Sequence, residues 1–137
     1  MKKLIAPVCI ALCIIISMPY CKKGGGGSGG GSCTETAMTV TTNPASGSVQ
    51  AAAPGPTFPL TVTITANLPT AGANIEVKAR PESSTTAFFT ETKTASGPTA
   101  FTITGTTVGV PSVVDIVITS KSSATNKVTL SYKYSRK

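Results

Sequence analysis

Apolar and polar residues alternate along most of the chain after residue 33. The clearest stretch is Leu60–Leu68, where every second residue is apolar and Thr or Asn occupies the positions between. A period of two places alternate side chains on opposite faces of a β-strand. We therefore predict a strand here whose core-facing side chains are Leu60, Val62, Ile64, Ala66 and Leu68.

Six further segments carry the same alternation, and turn residues (Pro, Gly, Asn and Ser) separate them. Val113–Thr119 is more continuously apolar than the others, which predicts a central strand. No segment after residue 33 combines helical spacing with capping residues. The six further predicted strands lie around Met38–Thr41, Ile75–Arg80, Thr86–Lys93, Phe101–Thr104, Val113–Thr119 and Val128–Tyr134.

Seven short strands in about 104 residues predict an all-β fold for 34–137, a single seven-stranded antiparallel β-sandwich. The strand spacing resembles that of immunoglobulin-like and fibronectin-like domains, and this resemblance covers nearly all of 34–137. It is a resemblance of architecture. The Cys, Trp and Cys of antibody cores are absent, because the chain has no Trp and its last Cys is Cys33.

The first 20 residues have the pattern of a bacterial export signal. Met1, Lys2 and Lys3 form a short positive segment, and Leu4–Ile16 is apolar with a single Pro. As a helix, Leu4–Tyr20 would span about 26 Å at ~1.5 Å per residue, which is less than the ~30 Å of a bilayer's hydrocarbon core. We predict that 1–20 is a lipoprotein signal peptide.

Cys21 follows this apolar segment directly and precedes a polar linker. It resembles the lipid-accepting Cys of bacterial lipoproteins, and the whole chain resembles Bacteroidota-type envelope lipoproteins. The resemblance implies a diacylglyceryl thioether on Cys21, a membrane lipid as partner, and a location in the bacterial cell envelope, with the outer membrane favoured. Met18-Pro19-Tyr20-Cys21 differs from the usual motif, which has Leu first and Gly, Ala or Ser before the Cys. The alternatives are an uncleaved signal anchor or cleavage elsewhere.

Residues 21–33 read as the lipidated Cys and a tether. Lys22–Ser32 contains only Lys, Gly and Ser, and such a chain has a root-mean-square span of roughly 18 Å. Cys33 ends the tether. With Cys21 lipidated, Cys33 has no partner within the mature chain and is either a free or intermolecularly paired thiol, or simply a small residue opening the first strand. Without lipidation, a Cys21–Cys33 disulfide is the alternative.

Candidate chemistry is scarce. The chain has no His, which excludes a Ser-His-Asp triad, a His-ligated metal and a His general base. The acids fall on different predicted strands and turns, so we predict no catalytic, cofactor or metal site and a protein that is not an enzyme. Asp115 interrupts an apolar strand and is expected to lie on an outward face or to pair with Lys or Arg. The acids are Glu35, Glu76, Glu82, Glu91 and Asp115.

The formal charge of +7 is concentrated at the N-terminus, where Lys2, Lys3, Lys22 and Lys23 lie. Residues 34–137 carry eight Lys or Arg against five acids, a formal charge of +3. Their only basic cluster is Lys133, Arg136 and Lys137, beside Tyr132 and Tyr134. A solvated final strand explains this cluster as well as a stacking surface does, so no nucleic acid partner is expected.

These features predict a non-enzymatic envelope lipoprotein that displays a β-sandwich for structural or binding use. Its contact surface is expected on the loops Ala51–Phe58, Arg80–Thr86 and Ser120–Lys127. One alternative is an adhesin or fibre subunit that assembles by strand or edge pairing. Another is a carbohydrate-binding module, which the few aromatic residues disfavour.

Overall fold

The computed structural model describes residues 34–137, which form one compact unit, Thr34–Lys137. The predictions of a signal peptide over 1–20 and of a lipidated Cys21 with a tether over 21–33, including the roles of Cys33, lie outside the described residues.

Residues 34–137 contain seven β-strands and no helix. All neighbouring strands within each sheet are antiparallel, which confirms the prediction of an all-β sandwich with seven strands. The strands are β1 (Thr39–Asn43), β2 (Phe58–Ala66), β3 (Ala73–Pro81), β4 (Phe89–Thr94), β5 (Thr99–Ile103), β6 (Ser112–Ser120) and β7 (Lys127–Tyr134).

The strands form a three-stranded sheet in the order β1-β2-β5 and a four-stranded sheet in the order β4-β3-β6-β7. As its apolar sequence predicts, β6 is an interior strand, and Ile116 pairs with Val77 of β3 and with Leu130 of β7. In constant-type immunoglobulin domains the fourth strand joins the sheet of the first, second and fifth strands. Here β4 pairs with β3 instead, which makes the division three against four.

The core lies between the two sheets and takes side chains from both. Along β2, Leu60 and Val62 are buried, and along β6, Ile116 and Ile118 are fully buried. All sixteen residues of the core cluster lie between Met38 and Tyr134. Because residues 34–137 hold their own apolar core, they have the properties of an independently folding domain.

The predicted alternation fails at the end of β2. Ala66 and Leu68 were expected in the core, but Ala66 is exposed, Leu68 is 50% exposed and the strand ends at Ala66. The pairing of β2 with β1 is irregular there, with a register shift between Thr39 and Val40, and Asn67, whose φ is +58°, then turns the chain out of the extended conformation. Its side-chain amide donates a hydrogen bond to the Ala37 carbonyl at 2.9 Å, which fixes the turn against the residues before β1.

Residues 47–53 pair through their backbone with the four-stranded sheet, although the sequence predicts no strand there. Val49 forms a parallel bridge with Lys133, and Ala53 forms one with Arg136. The Gln50 amide donates to the Lys133 carbonyl at 2.8 Å, and the Lys133 amide donates to the Ser48 carbonyl at 2.9 Å. This segment therefore covers the outer edge of β7.

Candidate functional site

The sandwich has two ends with different contents. We call one end the near end. It holds the start of β1, where Thr39 pairs with Ala66, and the loop between β6 and β7, which follows the pairing of Thr119 with Lys127. The far end holds the start of β2 and the ends of β3, β5 and β7. Phe58 there pairs with Ile103.

The three loops predicted as contact surfaces lie at both ends. Ala51–Phe58 precedes β2 and Arg80–Thr86 follows β3, so these two loops lie at the far end. Ser120–Lys127 joins β6 to β7 and lies at the near end. The structure therefore brings two of the three predicted loops to one end of the sandwich.

At the near end the β6–β7 loop holds the first residues of the described chain. The Ser122 hydroxyl donates to the Glu35 carboxylate. The Asn126 side-chain amide donates to Glu35 Oε2 at 2.9 Å and to the Thr36 carbonyl at 3.2 Å. The hydrogen bond from Ser122, followed by that from Asn126, lowers the pKa of Glu35 below its ordinary value. This loop fixes where the chain enters the sandwich.

At the far end an apolar hollow of about 220 Å³ lies beneath the segment that crosses from β1 to β7. The rings of Phe58 and Tyr134 form one wall, with centroids 4.5 Å apart, and Tyr132 lies 6.1 Å from Tyr134. Gln50 is the only amide side chain in its lining. The lining residues are Pro44, Gln50, Ala51, Ala53, Phe58, Pro59, Tyr132 and Tyr134.

The two tyrosine hydroxyls next to this hollow differ in their partners. Tyr134 Oη lies 2.6 Å from Thr106 Oγ1, within hydrogen-bond distance. The hydroxyl of Tyr132 is buried and has no hydrogen-bond partner among the described residues. Burial raises the pKa of Tyr132 far above its ordinary value, and the neighbouring Tyr134 adds to the effect. Burial also raises the pKa of Tyr134, against the opposing effect of Thr106. Both groups are therefore neutral hydroxyls at physiological pH.

Ion pairs on the outer surface account for the remaining acids of residues 34–137. Arg80 Nε lies 2.8 Å from Asp115 Oδ2, which confirms the prediction of an outward face or a basic partner for Asp115. The other pairs do not converge on one site, and within the described part of the chain no three His, Cys, Asp or Glu residues could hold a metal ion together. These pairs are Glu76–Lys78, Glu91–Lys93 and Glu82–Lys133.

The aromatic residues of 34–137 lie in or against the core. Tyr132 and Tyr134, which the sequence places beside a basic cluster, are 2% and 3% exposed, so their rings are not on the surface with the charges. Lys133 pairs with Glu82, and Arg136 Nη1 donates to the Thr106 carbonyl at 3.2 Å. Phe88 and Phe89 are half-buried. The described rings therefore offer no exposed platform for stacking a base or a sugar face.

The hollow has no local sequence pattern. Its walls come from β2, β7 and the segment before β2, which are far apart in sequence. The available signals were two: Tyr132 and Tyr134 at alternate positions, and the Pro-rich segment Pro54–Pro59. Those signals indicate buried rings but say nothing of the space beside them.

Fold and surface together define a single all-β sandwich domain with an apolar hollow and two of its predicted contact loops at one end. Within 34–137, no helix has the length and apolar character needed to cross a membrane. Comparison of the chain with protein-family models, curated proteins and solved structures gives no match.

Proposed function

We propose that this chain is a non-enzymatic bacterial envelope lipoprotein, anchored through Cys21, that presents the far end of its β-sandwich as a contact surface. The observation that carries the proposal is the separation of the two ends. The described chain begins at the near end, where Glu35 and Thr36 contact the β6–β7 loop. The hollow and the loops Ala51–Phe58 and Arg80–Thr86 lie at the other end.

A domain held through its first residues presents the opposite end away from the point of attachment. Strands β2, β3 and β6 have nine residues each, so the two ends are separated by about 30 Å at ~3.3 Å per residue. A glycine tether of roughly 18 Å adds reach without adding a fixed orientation. Loops on a rigid sandwich are suited to binding because the strands beneath them fix their ends.

The sequence supports the anchor. A positive start, an apolar segment and Cys21 before a polar linker are the arrangement found in bacterial lipoproteins. Several acyl chains on one Cys would hold the protein at a membrane almost permanently, since each buried CH₂ contributes ~0.8 kcal/mol.

Acyl labelling tests the anchor. The wild-type chain and Cys21→Ser are expressed in a bacterial host with a labelled fatty acid, and Cys33→Ser serves as the matched cysteine control. Label in the wild type and in Cys33→Ser, with loss of both label and membrane association in Cys21→Ser, is the expected result. Equal membrane retention of all three chains without label would overturn the lipoprotein assignment in favour of a signal anchor.

A second measurement tests the orientation. The lipidated chain carrying Cys33→Ser receives a fluorophore at Thr125→Cys, in the near-end loop, or at Ser83→Cys, in a far-end loop. Both positions are exposed. Each protein is reconstituted in vesicles whose headgroups carry a quencher. Stronger quenching at position 125 than at position 83 is expected, and equal or reversed quenching would contradict the presentation of the far end.

A further inference from the structure

The first 20 described residues form an arm that is weakly packed against the rest of the domain. Within 34–53, only Met38 has a buried side chain. Residues 45–57 bury none, and Val49 is 75% exposed. Val40 and Ala53 are partly buried against the core. Because buried apolar area is the main source of stabilisation and the arm buries little of it, hydrogen bonds contribute a large share of its attachment.

Those hydrogen bonds reach both sheets. Through β1 the arm pairs with β2, and through 47–53 it pairs with the outer edge of β7. Besides the two bonds at Lys133 described above, the Gly47 amide donates to the Ser131 carbonyl at 2.7 Å and the Ala53 amide donates to the Ser135 carbonyl at 3.2 Å. Removal of the arm would therefore expose two strand edges and open one side of the hollow.

The connection from the arm to β2 favours an extended chain. Pro54 and Pro56 fix their own φ angles and bias the preceding residues, Ala53 and Gly55, towards extended conformations. In the closed domain Gly55 adopts a φ of +111°, which side-chain-bearing residues rarely reach. The hinge, residues 54–57, has no buried residue that would oppose its opening.

We propose that the arm 34–53 exchanges between two copies of this chain, with the hinge 54–57 extended. Each copy's 47–53 then lies along the β7 edge of the other, and each β1 lies along the other's β2. All hydrogen bonds of the closed domain are remade in the dimer, because the exchanged segments are identical. The cost is the entropy of association, which falls as the local concentration of the chain rises.

The exchange is an interaction between two domains and does not depend on the anchor. Residues 34–137 contain no Cys, so a fragment of this length tests the exchange alone and leaves the lipidation of Cys21 untouched. Failure of one proposal is therefore distinguishable from failure of the other. In the full chain, attachment of many copies to one membrane would raise their effective concentration and favour the exchanged form.

A pair of glycine substitutions tests the hinge. Gly55→Ala strains the closed hinge, while Gly97→Ala in the β4–β5 loop imposes the same strain at a φ of +110° outside the hinge. An added Cβ meets no heavy atom within 4 Å at either position, so the effect is conformational in both. Relative to wild type, Gly55→Ala is expected to raise the association constant of the dimer by about tenfold or more, because each dimer relieves two hinges. Gly97→Ala leaves that constant unchanged.

Engineered cysteines then identify which strands meet. The fragment with Val49→Cys is mixed with the fragment with Lys133→Cys, and the two are unfolded and refolded together at millimolar concentration before oxidation. Adjacent strands lie within the Cα separation that a disulfide allows. Lys78→Cys replaces Lys133→Cys in the control, since Lys78 and Lys133 have similar side-chain exposure, 46% and 50%.

The expected product is a disulfide-linked heterodimer of the 49 and 133 variants, in clear excess over the 49 and 78 pair. Equal yields from both pairs would overturn the arm exchange, because they would show random surface oxidation. The double variant Val49→Cys/Lys133→Cys gives a second check. If it forms a dimer in which every disulfide joins two cysteines of the same chain, the arm exchange is also overturned. A Gly55→Ala fragment that stays as monomeric as Gly97→Ala would overturn it as well.

Discussion

The hydroxyl of Tyr134 and the hydroxyl of Thr106 lie 2.6 Å apart in the interior of the far end, joining β7 to the loop that follows β5. Two residues earlier on the same strand face, the hydroxyl of Tyr132 is equally buried but has no hydrogen-bond partner among residues 34–137. The two rings are therefore similar in burial and opposite in hydrogen bonding.

This difference predicts opposite effects of the same substitution. Tyr134→Phe leaves Thr106 buried without its partner and is expected to lower the free energy of unfolding by about 1–3 kcal/mol. Tyr132→Phe removes a buried hydroxyl that has no partner and is expected to be neutral or stabilising. Urea unfolding of the 34–137 fragment measures both. A loss of stability in Tyr132→Phe as large as that in Tyr134→Phe would contradict the assigned hydrogen bonding.

The near-end contact predicts a dependence on pH. Because hydrogen bonds lower the folded-state pKa of Glu35, its contribution to stability is present above the ordinary value of 4.5 and is lost as pH falls through the lowered value. Ser122→Ala removes the largest cause and is expected to raise the pKa of Glu35 towards 4.5. An NMR titration of the Glu35 carboxyl measures this shift. Ser123→Ala is the control, since the Ser123 hydroxyl pairs with Thr125, and an equal shift there would refute the assignment.

The alternation along β6 predicts unequal effects of truncating neighbouring side chains. Ile116 is fully buried between the sheets, whereas Val117 lies on the outer face and is half-buried. Ile116→Ala is expected to lower the free energy of unfolding by about 2–5 kcal/mol, through lost burial and a residual cavity. Val117→Ala is expected to cost at most about 1 kcal/mol. Comparable losses in urea unfolding would mean that the register of β6 is wrong.

Arg80 joins the outer face of the four-stranded sheet to a far-end loop. Its Nε donates to Asp115 and its Nη1 donates to the Ser84 carbonyl at 3.1 Å. A lysine has a single charged nitrogen and cannot reproduce this geometry. Arg80→Lys is expected to change global stability by less than about 1 kcal/mol but to speed amide hydrogen exchange in residues 82–86. The same substitution at Arg136 is the control, and unchanged exchange at 82–86 in Arg80→Lys would count against the contact.

The sequence predicted the strands well wherever one face of the strand is buried and the other is exposed to solvent. In β3, Ile75 and Val77 are buried while Lys78 is exposed, as the alternation indicates. The prediction failed at Leu68, where a single left-handed residue, Asn67, ended the strand within an unbroken pattern. Asn is compatible with strand and turn alike, so the pattern itself held no signal of the change.

The far-end features were less accessible to sequence reasoning. The hollow depends on the space between Phe58, Tyr134 and a crossing segment about 80 residues away from Tyr134, and space between distant segments leaves no local pattern. The pairing of 47–53 with β7 was missed for a related reason. None of its residues is fully buried, and they pair through backbone atoms that every sequence shares.

The order of polar and apolar residues by itself determined that 34–137 folds as seven strands with a shared core, because a period of two can bury one face only in a sheet. It also determined the outward position of Asp115. Only the tertiary structure decided that β4 pairs with β3, that Glu35 and Thr36 lie at the end opposite the hollow, and that 47–53 pairs with β7 through backbone hydrogen bonds. All three features depend on which strand edges pair with each other. That pairing is set by how all the strands pack together, and no single segment encodes it.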